Sequence, residues 1–143
     1  MKSFTKWEGT PFFPRSCAPG SQGGVDCVQL VRALLVDAGW WVQPITWHYP
    51  IDGGNHTRQS LIRQFIDMTG VSLRVEEIPP DPAYLRPGDV LGMRLGSAMW
   101  HLGIALTPRS FAHVMVGRRV ERIPIAVVTR MGAVETIFRP LEL

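Results

Sequence analysis

The stretch IPPDPAYLRPGD, residues 78–89, carries four prolines and divides the chain into parts with different apolar spacing. Proline fixes φ and lacks an N–H, so neither a helix nor a central strand runs through such a segment. Before it, apolar residues recur every third or fourth position. Val28, Leu30, Val31, Leu34, Leu35 and Ala38 mark a helix over about 27–38, with Asp26 as its N-cap and Gly39 at the C′ position. Leu61, Ile62, Phe65 and Ile66 mark a second helix over about 57–69, followed by a short strand at 71–76. After the prolines the period changes to two, which predicts strands at 89–95, 100–106, 110–116, 118–123 and 134–139, with a short helix at 124–131. Helices first and an antiparallel meander after them define an α+β fold, with N-terminal helices packed on an antiparallel sheet of about five to six strands.

At 143 residues, 45% hydrophobic and 19% charged, the chain reads as one globular domain spanning 1–143. No apolar run approaches the roughly 18–20 residues that span a bilayer, so membrane insertion is not expected. The opening MKSFTKWEGT has lysines but no apolar stretch behind them, so the sequence predicts synthesis in the cytoplasm without a signal peptide. A net charge of +3 is mildly basic, with Arg118, Arg119, Arg122, Arg130 and Arg139 grouped late in the chain. They read as a solvated strand face, or as an attraction to an anionic polymer. No basic motif interleaved with aromatics points to nucleic acid.

The chemistry centres on PGSQGGVDCVQLV, residues 19–31. Cys27 falls in the first turn of a helix, where unpaired N–H groups and the positive end of the helix dipole favour a thiolate. Such a thiol is a candidate nucleophile whose own N–H can help bind an oxyanion; otherwise it is a small core residue. Gly20, Gly23 and Gly24 remove side chains where a substrate backbone would approach. Asp26 caps the helix or, alternatively, meets a substrate amine. With only Cys17 and Cys27, the chain has no disulfide framework, and pairing the two would block Cys27. Their spacing and the distant histidines do not match a closed zinc site, so no metal or other cofactor is expected.

A thiolate catalyst needs an imidazole, and the chain offers His48, His56, His101 and His113. The first two fall in the aromatic-rich loop 40–56 and read as surface or packing residues. The other two fall on strands. In WHLGIAL, His101 shares a face with Gly103 and Ala105, a nearly bare face on which a helix can bring Cys27 close. An odd-numbered turn around Thr107-Pro108-Arg109 sets His113 beside His101, and an even one separates them. Trp100 is either a pocket wall or core.

In order, the chain presents Asp26-Cys27 at a helix head, Pro87-Gly88-Asp89 before a strand, His101-Leu102-Gly103-Ile104, and His113. Together with the early Trp7-x-Gly9-Thr10-Pro11-Phe12 and the closing TRMGAVETIFRP, this resembles the NlpC-type cell-wall cysteine peptidases, most closely in feel the phage tail-tip-associated members. The likeness covers about residues 7–140. It implies a papain-like fold and a Cys-His-His triad: Cys27 as nucleophile, His101 as base, His113 as the orienting residue. It further implies hydrolysis of amide bonds in peptidoglycan stem peptides, often between D-glutamyl and a diamino acid, and phage tail-tip proteins as partners. The tail particle would then carry the protein to the cell wall and periplasm. Phe12 stands where many relatives have a tyrosine, and Val28 where many have a small residue. The missing hydroxyl favours, as the alternative, a structural tail component with little activity. Acyl transfer or deamidation would use the same three residues.

Overall fold

The four-proline segment is a connection, but one strand of the main sheet (Val75–Ile78) precedes it and a short helix (Ile125–Arg130) follows it. The computed structural model describes residues 4–40, 42–45, 65–66, 74–95, 99–130 and 134–141. A short helix α1 (Phe4–Trp7) leads into an irregular segment with a two-stranded ribbon, β1 (Cys17–Ala18) and β2 (Gly24–Val25), and then into α2 (Cys27–Asp37). Beyond it come β3 (Val75–Ile78), a 3₁₀ turn (Pro82–Tyr84), β4 (Val90–Leu95), β5 (Met99–Thr107), β6 (Ser110–His113), β7 (Glu121–Pro124), a short helix (Ile125–Arg130) and β8 (Val134–Pro140). The molecule is α+β, with an antiparallel six-stranded sheet in the order β3-β8-β4-β5-β6-β7.

α2 begins and ends where its sequence signals lie. The Asp26 carboxylate accepts from the backbone N–H of Gln29 at 2.8 Å, which satisfies a donor that the helix leaves unpaired. At the other end Gly39 takes φ 105°, its N–H reaches the Val36 carbonyl, and the Trp40 N–H reaches the Leu35 carbonyl. That pair of bonds is a Schellman ending, which needs the left-handed backbone that glycine adopts without strain. Of the helix expected over 57–69, only Phe65 and Ile66 lie within the described residues, and both are helical; His48 and His56 lie outside them.

The sheet is covered on both faces. On one, Val90, Leu102, Ile104, Leu106, Ala112 and Phe138 pack with the α2 residues Cys27, Val28, Leu30, Val31, Leu34 and Leu35. On the other, Leu91, Met93, Ala105, Phe111 and Ile137 gather with Leu85. Each buried Val, Leu, Ile, Phe or Met among them contributes roughly 1.5–3 kcal/mol relative to exposure.

The Pro87-Gly88-Asp89 stretch acts as a structural joint. Gly88 has φ 93° and lies against the Trp40 indole, where a Cβ would come within 2.6 Å of the ring. Buried Asp89 accepts from the Arg86 N–H at 2.9 Å and takes both arms of the Arg139 guanidinium, each at 2.9 Å. This fork ties β8 to the start of β4, so Arg139 is a paired structural residue. Arg118, Arg119 and Arg122 are exposed, in keeping with the solvated reading of the basic group.

Candidate active site

The side-chain alternation of β5 places His101 and Leu102 on opposite faces, and the helix chooses Leu102. α2 packs on the Leu102/Ile104 face, which corrects the expectation that it would lie over the bare face around His101. The bare face is filled from within the sheet. A Cβ on Gly103 would meet the Met93 methyl at 2.8 Å and the Phe111 ring at 2.9 Å. Apolar volume outcompetes a helix there because larger side chains on the neighbouring strands already occupy the space.

Cys27 meets β5 through Leu102 rather than through His101. Ala105 exchanges backbone hydrogen bonds with Gly88 and Asp89 on the β4 side, so by alternation the Leu102 N–H faces the β6 side. β6 ends at His113, short of the strand expected to 116, and the Leu102 amide reaches the Cys27 sulfur instead. The thiol thus lies beside the residue that follows His101. Among the described residues, no hydrogen bond joins the thiol to either imidazole.

The two histidines meet through a bulge. Thr107 pairs with Ser110 across the two-residue turn Pro108-Arg109, an even loop that alone would separate them. The register then shifts: Ala105 pairs with Phe111 and Ile104 with Ala112, leaving Leu106 as an extra residue on β5. Continuing that register sets His113 level with Gly103 and diagonal to His101. Both rings are buried, with His101 Nε2 and His113 Nδ1 2.8 Å apart and the rings edge-on at 70°. The far nitrogen of His113, Nε2, lies 3.0 Å from the Glu121 carboxylate, on the β7 residue directly opposite. Glu121 was not foreseen from the sequence: its place opposite His113 depends on the 114–120 connection, part of which was expected to be strand.

Burial sets the electrostatics. It pushes the Cys27 thiol up to about 12, helped by the neighbouring Asp26 charge. The N–H groups of Leu102, Val28 and Cys27 pull the other way without prevailing. The expected lowering by the helix end is therefore overturned, since desolvation of a thiolate outweighs a helix dipole. Burial, with the His113 charge, takes His101 down to about 3. Burial lowers His113 as well, while the hydrogen bond and charge of Glu121 oppose it. At neutral pH the resting pair is a thiol and an uncharged imidazole.

The remaining expected site residues are placed as follows. Asp26 is fully buried and caps α2; its second oxygen accepts from the Arg15 N–H at 2.6 Å, which favours the cap over a substrate contact. A Cβ on Gly24 would come within 2.6 Å of the Phe13 Cβ, and one on Gly23 within 2.1 Å of the Ala18 carbonyl. These two glycines admit the chain's own folding rather than keeping an approach open. Phe12 is half-buried against the core, whereas Phe13, beside Gly24, is 63% exposed. Trp100 pairs with Arg94 through its backbone, and its side chain lies outside the described residues. Cys17 and Cys27 are both free thiols. Among the described residues no cluster of ligating side chains fits a metal ion, and no helix is long and apolar enough to cross a membrane. A groove of about 420 Å³ lined by Pro79, Tyr84, Arg86 and Arg139 belongs to the β3/β8 side, with β4 between it and the histidines. Comparison with protein-family models, curated proteins and solved structures returns no match to the chain.

Proposed function

We propose that the chain is a cysteine peptidase of NlpC type, with a papain-like fold, that hydrolyses amide bonds in peptidoglycan stem peptides. The observation that carries this reading is the buried His101–His113 pair at 2.8 Å, at the strand end where the Cys27 sulfur meets the Leu102 amide. With Nε2 of His101 engaged by His113, Nδ1 is the ring nitrogen left for the thiol. In this reading the thiol, packed with α2 on the face opposite His101, turns past the edge of β5 beyond the end of β6 when substrate binds, exchanging the Leu102 amide for His101 Nδ1. Its proton passes to that nitrogen as the sulfur adds to the scissile carbonyl carbon. The imidazolium then protonates the departing amine, leaving a thioester that water hydrolyses with His101 again as base. Because both groups rest uncharged, proton transfer accompanies attack and no ion pair stands ready beforehand. The exposed Phe13 beside Gly24 offers an aromatic surface in the entry segment in place of the half-buried Phe12.

By the same reading the protein is part of a phage-type tail tip and reaches the cell wall and periplasm with the particle. The test is digestion of purified peptidoglycan, followed by mass spectrometry, with wild type beside Cys27→Ala and His101→Ala. New fragments from wild type that vanish in both variants support the peptidase. The second reading, a structural tail component with little activity, is favoured by the burial of Cys27 and its lack of a hydrogen bond to His101. It predicts no fragments from wild type.

A further inference from the structure

We infer that Glu121 is a positioning residue that decides which nitrogen of His101 carries the proton, through His113. The inference rests on the peptidase reading for its catalytic consequence, and for the rest on hydrogen-bond geometry between two rings that burial keeps uncharged.

A carboxylate accepts hydrogen bonds and does not donate. At 3.0 Å, Glu121 therefore requires a proton on Nε2 of His113. A neutral imidazole has one N–H, so Nδ1 of His113 is then a bare acceptor, and its 2.8 Å neighbour, Nε2 of His101, must donate. That uses the single N–H of a neutral His101. Nδ1 of His101 is left with a lone pair, as a base for the Cys27 thiol requires. Reversing the first link reverses the chain: a donor at position 121 would move the proton of His101 to Nδ1 and abolish the base.

The position suits the task. His113 and Glu121 face one another across β6 and β7, so the backbone ladder fixes their separation. The Glu121 side chain is 53% exposed while His113 is 3% exposed, so the carboxylate stays solvated as it polarises a buried ring. Edge contacts of His113 with both His101 and Phe111 restrict rotation of the ring, which keeps the two nitrogens assigned to their partners.

The test is a ¹⁵N spectrum of the imidazoles, read beside steady-state kinetics. Wild type is expected to show N–H-type Nε2 and bare-type Nδ1 signals for both rings. In Glu121→Ala, solvent can donate as well as accept, so both rings should give averaged signals, and kcat should fall about tenfold with little change in KM. Glu121→Gln, which can accept through its amide oxygen or donate through its NH2, should give one ordered spectrum: the wild-type pattern with most of kcat, or both ring protons on Nδ1 with kcat lost. Unchanged ring signals in Glu121→Ala, or a proton on Nδ1 of His101 in wild type, would overturn the inference. Rings that respond as stated in a protein that cleaves nothing would sink the peptidase reading and leave the proton assignment standing.

Discussion

His113 stands diagonal to His101, 2.8 Å away between ring nitrogens, because Leu106 is bulged out of the β5–β6 pairing. Without that extra residue the two-residue turn would put the rings on opposite faces of the sheet, one of them among the residues that pack on α2. A one-residue irregularity in a hairpin thus decides whether the chain has an imidazole pair at all.

The pair should make folding stability sensitive to acid. His101 is held at about 3 in the folded state against an ordinary 6.5, so below 6.5 the unfolded chain binds the extra proton and the folded one does not. Stability is therefore fully present above pH 6.5 and declines as pH falls toward 3. Denaturant unfolding at pH 7, 5.5 and 4 should show this decline, and His101→Gln should flatten it. An equally steep decline in His101→Gln would contradict the assignment.

The buried thiol gives the opposite sign. Cys27 is held near 12 against an ordinary 9, so above pH 9 the unfolded chain loses a proton that the folded one keeps. Stability should fall between pH 9 and 12, and alkylation of native Cys27 at pH 8 should be slow. Since Cys17 is exposed, the rate is best followed in a Cys17→Ser background. Rapid modification at pH 8 would show that the thiol is more open than its burial implies.

Asp26 should be a stability residue first. Asp26→Ala removes the acceptor for the Gln29 and Arg15 N–H groups and should cost about 1–2 kcal/mol in unfolding free energy. It also removes the charge that helps raise the Cys27 thiol, so alkylation of Cys27 should quicken. A variant as stable as wild type would mean that the cap is dispensable.

The Asp89–Arg139 fork should matter more than a surface ion pair. Arg139→Leu leaves a buried carboxylate without its cation and should cost about 3 kcal/mol, where exposed pairs contribute 1 kcal/mol or less. Chemical denaturation reads the difference directly. A change under 1 kcal/mol would show that the Arg86 N–H alone suffices for Asp89.

Local chemistry explains what could be read in advance. α2, its cap and its ending were legible because Asp26, the apolar spacing and Gly39 act within a few residues of one another. β4, β5 and β8 were legible from their period of two. Which face α2 would cover was not, because a bare strand face invites a helix only if the neighbouring strands leave it bare, and Met93 and Phe111 fill it. The His101–His113 contact was legible only as a condition on turn length. Its actual cause, a bulge at Leu106, has no glycine or proline to announce it. Glu121 depended on the length of the connection after β6, and the thiol's raised pKa on burial that a helix-end rule does not contain.

The most direct test of the central proposal is turnover of a defined stem peptide by wild type, Cys27→Ala, His101→Ala and the double variant in matched preparations. If the nucleophile and base act as one unit, wild type cleaves a single amide bond. Each single variant should then fall to the uncatalysed background, and the double variant should fall no lower. Cleavage that survives in Cys27→Ala, or no cleavage by correctly folded wild type, would contradict it.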